Sequence, residues 1–373
     1  MTATTNGTTA TPPLRFAVLG CGAIGQHHAS VIDGLDSAEV TVAIDVTEQA
    51  AQQLATRYDA MPVTGLTDAL KRDDVDAVAI CSPSGDHAQH AIAALDAGKH
   101  VVVEKPIDIT LEAAAALAKA EEQSTGIVTV ISQHRYDPSS RLVHDAVQSG
   151  KLGVPTSGVA TVSWWRSQLY YDSGAWRGTK KGDGGGALIN QSIHTIDLLV
   201  WMLGCPVEVM AYAACLAHTG LEVEDTAVAI MRFENGALGV VHGTTAAYPG
   251  LTARLQVHGS RGSAVIDGAK LAYFHAAADN LDAEEAPAYG AGADSNHASE
   301  LLPDQNGMTA GSGPAAPSDA HSLQYADFVE AVRTGRAPAI TVADAITTLS
   351  VVLSIYESAE TGRPIPLPRA NMS

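Results

Sequence analysis

Positive charge is scarce in this chain: 22 Lys and Arg stand against 41 Asp and Glu over 373 residues, a net charge of −19. A nucleic-acid backbone or an anionic membrane surface would be repelled on average, so any anionic ligand must be met by local donors. Cysteine is scarce too. Cys21, Cys81, Cys205 and Cys215 form no CxxC pair and have no metal-ligand spacing to histidine, which reads as reduced thiols and no metal site. No apolar run is expected to reach the length of a membrane span, no repeat of fixed period appears, and there is neither a Walker loop nor a Gly-x-Ser-x-Gly elbow. The opening MTATTNGTTATPP lacks the basic and apolar segments of an export signal, so residues 1–13 are expected to be a disordered tail and the chain cytoplasmic. What remains, 46% hydrophobic and 17% charged, suits a globular protein with two cores.

The most informative stretch is 14–45, LRFAVLGCGAIGQHHASVIDGLDSAEVTVAID. The apolar run over 15–19 has the look of a buried parallel strand, and it stops at Gly20-Cys21-Gly22-Ala23-Ile24-Gly25. In such a turn the first glycine permits the tight bend, the second lets backbone amides approach a pyrophosphate, and the third lets the following helix pack close to the strand. The helix N-terminus then presents free N–H groups to an anion. A second strand over 40–44 ends in Asp45, about 20 residues past the last glycine, where a carboxylate accepts from both hydroxyls of an adenosine ribose. Val46, Thr47 and Glu48 offer no cation for a 2′-phosphate, so the expected cofactor is NAD and not NADP.

Strand and helix patterns alternate onward to 127–132, which predicts a parallel sheet in a Rossmann dinucleotide-binding domain over 14–131. Ser82-Pro83 and Glu104-Lys105-Pro106 fall at strand ends beside the glycine turn, where ligands sit, and His87 and Gln133 lie close to such ends. From 132 the pattern changes. Runs over 156–165, 208–216, 225–233, 237–245 and 251–258 read as strands, with Asn235-Gly236 as a hairpin turn, and predict an α+β domain over 132–373 with a large, mostly antiparallel open sheet. One prominent helix is expected over 186–203, a surface excursion over 276–318, and two closing helices over 321–334 and 342–361.

Three groups of residues carry possible chemistry. Lys105, at the end of a buried strand, is a costly place for an ammonium unless it has partners, and beside a nicotinamide it would help a substrate hydroxyl lose its proton. Asn190, His194 and Asp197, spaced by four and three, are expected on one helical face: His194 as general base, Asn190 orienting the same hydroxyl, and Asp197 fixing the tautomer from behind. The stretch 164–181 holds three of the four tryptophans, and its Trp165, Arg166, Tyr170, Trp176 and Arg177 suit stacking on a sugar ring and meeting its hydroxyls or an acid group. Arg135, just past the last parallel strand, is placed with them as substrate-binding. His27, His28, His144 and His218 are read as ordinary structural histidines.

Taken in order, Gly20 to Gly25, Glu104-Lys105-Pro106 and the His194 helix, followed by a mostly antiparallel half, resemble the Gfo/Idh/MocA oxidoreductases over about 14–368. The resemblance implies NAD in the first domain, Lys105 in the catalytic set beside a cis-proline, a second sheet used for homodimer or homotetramer contacts, and redox chemistry at a ring carbon of a sugar, sugar acid or cyclitol. Many members carry Asp four residues before the catalytic His. Asn190 stands there instead, as in the branch that oxidises C3 of nucleotide-linked uronic acids, which favours C3 of a pyranoside. Two alternatives come with the resemblance: a redox-neutral glycosidase acting on an anionic glycoside by transient C3 oxidation, and a non-enzymatic sugar sensor.

Overall fold

The computed structural model describes residues 11–277, 295–305 and 319–367. Most of the expected tail and of the expected excursion over 276–318 lies outside these residues.

The first layer is built as the alternation predicts. Strands β1 (Leu14–Leu19), β2 (Ala38–Ile44), β3 (Met61–Val63), β4 (Ala77–Ile80), β5 (His100–Val103) and β6 (Val128–Val130) are joined through helices α1 (Ala23–Asp33), α2 (Glu48–Tyr58), α3 (Leu66–Leu70), α4 (His87–Asp96) and α5 (Leu111–Glu122). All pairings are parallel, in the order β3-β2-β1-β4-β5-β6. The order reverses between β1 and β4, and the crevice beyond the carboxyl ends there is the natural ligand site of such a sheet. Every residue of β4 is buried, which explains the unbroken AVAI run: a strand covered by helices on both faces has no solvent side to alternate toward.

The second half runs α6 (Pro138–Gln148), β7 (Pro155–Ser163), α7 (Gln168–Asp172), α8 (Ile193–Leu203), β8 (Pro206–Ala214), β9 (Thr226–Phe233), β10 (Leu238–Thr244), β11 (Arg254–Gly259), β12 (Gly262–Asp267), β13 (Lys270–Ala276), α9 (Ala298–Leu301), α10 (Asp319–Thr334), α11 (Val342–Thr361) and β14 (Ile365–Pro366). Its strands form one sheet ordered β13-β12-β11-β7-β10-β9-β8-β14. The β9–β10 hairpin turns at Gly236, whose φ of 87° only glycine adopts without strain. One pairing departs from the antiparallel pattern: β10 lies parallel to β7, with Val240 opposite Val159. Strands β12 and β13 and helix α6 were not expected from the sequence, because short Gly-bounded strands and a proline-initiated helix give weak periodic signals.

The expected helix over 186–203 is two things. Leu188–Ser192 is wound as a π-turn, and only Ile193–Leu203 is α-helical. Helix α11 is closed at its start by a Thr341–Asp344 capping box and at its end by Gly362 in the left-handed conformation. By length and a mean hydropathy of 1.2, α11 passes for a membrane span, contrary to the expectation that no such run exists. Leu349, Val351, Val352 and Ile355 are instead buried in the core shared with α8, α5 and the second sheet. Helix α10 returns to the first layer, where Tyr325 meets Phe16 edge to face at 5.7 Å.

Candidate active site

The glycine turn has the form its sequence dictates. Gly20 takes φ +92°, and a Cβ there would come within 2.4 Å of the Cys81 carbonyl oxygen. A Cβ on Gly25 would fall 1.8 Å from the Gly20 oxygen, so only glycine lets α1 sit this close to the strand. Gly22 faces open space with nothing within 4 Å, and no side chain caps α1, whose first residues Ala23 and Ile24 are exposed. Free amides at an uncapped N-terminus beside open space fit a pyrophosphate. Asp45 accepts from the Cys21 and Thr47 amides at 2.8 Å each, which fixes its carboxylate and leaves lone pairs for a ribose.

Lys105 is joined to Pro106 by a cis peptide bond, as the resemblance implies. Its Nζ donates to the backbone oxygen of Asn190 at 3.0 Å, so the end of β5 and the π-turn that precedes α8 meet at one point. Burial lowers the Lys105 pKa, and the charges of Glu104 and Asp183 resist that fall. The neighbouring Glu104 is held by two bonds: Oε1 lies 2.7 Å from His28 Nε2, and Oε2 accepts the Lys105 amide at 2.9 Å. Burial opposes the Glu104 charge, but the His28 hydrogen bond and the electrostatic pull of His28, Lys105 and His321 together outweigh it and hold the carboxyl well below its usual range. His28 is in turn fixed by Tyr325 Oη at 2.7 Å from Nδ1. Glu104, expected to bind cofactor, is therefore committed to protein partners, and His28, read as ordinary, is part of the clamp behind Lys105. His28, Glu104 and His321 bring ligand atoms within 4.8 Å of one another, but both His28 nitrogens and both Glu104 oxygens are already engaged.

His194 is half-buried on the first turn of α8, with its ring edge to face against His134 at 5.3 Å. Burial, then the proximity of His134 and Lys105, holds its pKa well below the ordinary histidine value. A neutral imidazole is the form that accepts a proton. Asp197 does not stand behind it. Asp197 takes a bidentate bond from Arg135, at 2.8 and 2.7 Å, and a third from Thr348 at 2.8 Å. Asn190 lies in the π-turn and His194 and Asp197 in α8, so the three are not carried by one continuous α-helix as expected, although His194 and Asp197 line the same cavity beside Lys105.

That geometry corrects a second expectation. Arg135 is 6% exposed and its guanidinium is spent on Asp197 and Asp344, so it holds α8 to α11 and does not face a substrate. His87 is likewise not free for cofactor: its two ring nitrogens lie 2.7 Å from the Pro106 oxygen and 2.8 Å from the Ser82 oxygen. It ties the two strand-end loops together. Ser82 and Pro83 lie beyond the end of β4 as expected, with Ser82 Oγ 3.0 Å from His90 Nδ1.

The aromatic and basic stretch is brought to the same site. Arg166 and Arg177 sandwich the Tyr170 ring at 5.4 and 4.5 Å, Arg177 also covers Trp176, and Tyr170 Oη accepts from Arg177 at 2.9 Å. Gln191, which the sequence reading missed, links this group to the π-turn by accepting from Arg166 at 2.9 Å and donating to Tyr170 Oη at 3.1 Å. Trp165 is exposed and packs edge to face on Tyr248. Glu224 was missed as well. Its two oxygens accept the Gly186 and Leu188 amides and the Tyr356 hydroxyl, which pins the start of the π-turn. The glycine run preceding that turn answers to the same packing, since a Cβ on Gly186 would lie 1.7 Å from the Glu224 backbone oxygen and one on Gly185 would lie 2.3 Å from Tyr356 Oη.

Two polar atoms at the site are buried with no hydrogen-bond partner, Gln133 Oε1 and Asp183 Oδ1. An acceptor left this way costs free energy unless a bound group supplies a donor. Gln133, placed just past β6, fits the expected role of receiving the cofactor, whose carboxamide carries such donors.

Known proteins show the family. The oxidoreductase family model for an NAD-binding Rossmann fold matches residues 14–132, and the GFO/IDH/MocA C-terminal domain model matches 140–265. The 4-carboxy-2-hydroxymuconate-6-semialdehyde dehydrogenase of Sphingobium sp. is 31% identical over 60% of this chain and 70% of its own length. The scyllo-inositol 2-dehydrogenase (NAD(+)) of Bacillus subtilis is 26% identical over 95% of this chain and 96% of its own. Among solved structures, the WlbA dehydrogenase of Bordetella pertussis, in complex with NADH and UDP-GlcNAcA, is 30% identical with a TM-score of 0.83, covering 95% of this chain and 98% of that one. The protein belongs to the Gfo/Idh/MocA oxidoreductases, with an NAD-binding Rossmann domain and a second, mostly antiparallel sheet.

Proposed function

We propose that the protein transfers hydride between NAD and a ring hydroxyl of a pyranose sugar, sugar acid or glycoside, with C3 as the reacting carbon. The observation that supports the reading is the 3.0 Å bond from Lys105 Nζ to the Asn190 oxygen, together with a cavity lined by both Lys105 and His194. Bound NAD supplies the hydride acceptor, a chemistry that side chains lack. His194, held neutral, takes the proton of the hydroxyl. Lys105 donates to the same oxygen and stabilises the alkoxide as it develops. Asn190 orients the hydroxyl and cannot relay a proton, so the acid and base work falls to His194 and Lys105. Asn190 in place of the usual Asp, together with a full-length neighbour solved with UDP-GlcNAcA, supports C3 of a pyranoside. The Arg166, Tyr170, Trp176 and Arg177 group supports a polyhydroxylated ring bearing an acid.

The outer face of the second sheet supports self-association. Tyr212, Val228, Ile230, Leu238 and Val240 point to solvent from three adjacent strands, with Val228 opposite Tyr212 and Ile230 opposite Val240. A contiguous apolar face of this kind favours a symmetric homo-oligomer. The test of the catalytic reading is a panel of sugars, sugar acids and aryl glycosides assayed for NADH formation and aglycone release. NADH accumulation with a pyranoside supports the dehydrogenase; aglycone released with no net NADH contradicts it.

A further inference from the structure

Asp183 lies in the run Gly182-Asp183-Gly184-Gly185-Gly186, between the aromatic stretch and the π-turn. The run packs over the first layer: a Cβ on Gly184 would meet Ile109 at 2.4 Å, and a Cβ on Gly85 would meet the Lys181 oxygen at 3.0 Å. Asp183 itself is 4% exposed, and its Oδ2 accepts the Gly178 amide at 2.6 Å. Its Oδ1 is buried with no hydrogen-bond partner.

The other buried carboxylates around the site are spent. Glu104 is held by His28 and the Lys105 amide, Asp197 by Arg135 and Thr348, and Glu224 by two amides and Tyr356. Asp183 is the exception, and the groups that face it are the Asn190 amide and the cations of Arg177 and Lys105. Burial pushes its carboxyl up, and those neighbours with the Gly178 amide oppose the shift. No cation among the described residues comes within ion-pair distance of it, and Lys105 spends one of its three N–H donors on Asn190. An ammonium with donors to spare and a buried carboxylate oxygen with no partner within hydrogen-bond distance are thus electrostatic neighbours. A hydroxyl, which accepts and donates, satisfies both; a carboxylate or an ether satisfies only the ammonium.

We propose that Asp183 is a substrate-contacting residue, its Oδ1 accepting a hydrogen bond from a second ring hydroxyl on a carbon adjacent to the one oxidised. The ligand class is then a ring vicinal diol, and Asp183 selects it against analogues lacking or blocking that hydroxyl. This assignment rests on the reading of the protein as a ring-hydroxyl dehydrogenase.

The experiment compares the full-length protein with Asp183→Asn on methyl β-D-glucopyranoside, myo-inositol and their mono-deoxy derivatives, measuring NADH formation, with NAD affinity followed separately by fluorescence. A hydrogen bond to a charged group is worth about tenfold to a hundredfold. Asp183→Asn is expected to lose roughly that factor in kcat/KM on the diol while its NAD affinity stays within about twofold. Removing the adjacent hydroxyl should cost the unmodified protein a similar factor and cost Asp183→Asn little, a pattern that a merely structural aspartate does not produce. Undiminished kcat/KM in Asp183→Asn, or an equal deoxy penalty in both proteins, overturns the assignment and leaves the dehydrogenase reading standing. If Asp183→Asn does not bind NAD, the deoxy series on the unmodified protein decides alone: indifference to every neighbouring hydroxyl overturns it. Absence of turnover by the unmodified protein on every ring polyol overturns both readings.

Discussion

The Lys105 ammonium is anchored on the backbone oxygen of Asn190 at 3.0 Å, so the strand-end amine and the His194 helix keep a fixed relation before any ligand arrives. Preorganisation of this kind places charge where the alkoxide forms without a reorganisation cost during the reaction.

The same burial sets the pH dependence. His194 is held well below 6.5, so its proton-accepting form persists to lower pH than an ordinary histidine allows. Lys105 is lowered from 10.5, so its charged form is lost earlier as pH rises. The kcat/KM profile for alcohol oxidation is expected to have its acid limb below pH 6.5 and its basic limb below pH 10.5. An acid limb above the ordinary histidine value would remove His194 as the neutral base.

Asp45 accepts two backbone amides and keeps lone pairs for a further donor. Asp45→Ala should weaken NAD by about tenfold to a hundredfold, the worth of a charged hydrogen bond, and improve NADP relative to it. Titration with both cofactors checks this; an unchanged NAD to NADP ratio takes Asp45 out of the ribose site.

Arg135→Ala separates anchoring from substrate binding. Breaking a buried ion pair by removing one partner costs about 3–5 kcal/mol, and Asp197 and Asp344 would be left without the guanidinium. The melting temperature should fall steeply, with the KM of the folded fraction near its original value. A raised KM with unchanged melting would return Arg135 to the substrate pocket.

For the oligomer, Ile230→Asp places a charge in the middle of the exposed apolar face. Sedimentation should show dissociation to smaller species with NAD affinity retained. Unchanged assembly would mean that another surface makes the contact.

The first layer was legible because its signals are local: the glycine turn, the strand ending in Asp45 and the Glu104-Lys105-Pro106 terminus each occupy a few consecutive residues. The strands of the second sheet showed through their alternation, as in β9, where Val228 and Ile230 face out between buried neighbours. What stayed hidden depends on contacts distant in sequence. Asp197 looked like a partner for His194 at helical spacing, but the sequence has no way to announce an arginine 62 positions earlier that claims it. The π-turn is equally silent, since its pinning acid, Glu224, lies 36 residues from the Leu188 amide it accepts. Tyr325 lies almost 300 residues from the His28 ring that it orients. The Asp183 carboxylate stood in plain view among four glycines, but only its burial without a donor on Oδ1 marks it.

The central claim is that Lys105 and His194 act on one hydroxyl. Its most direct test is single-turnover NADH formation by Lys105→Ala and His194→Ala with a pyranoside that the unmodified protein oxidises, alongside direct measurement of NAD binding. The account predicts that each variant binds NAD normally and loses at least about 10²-fold to 10⁴-fold in the hydride-transfer rate. A variant of either residue that transfers hydride at close to the original rate would contradict it.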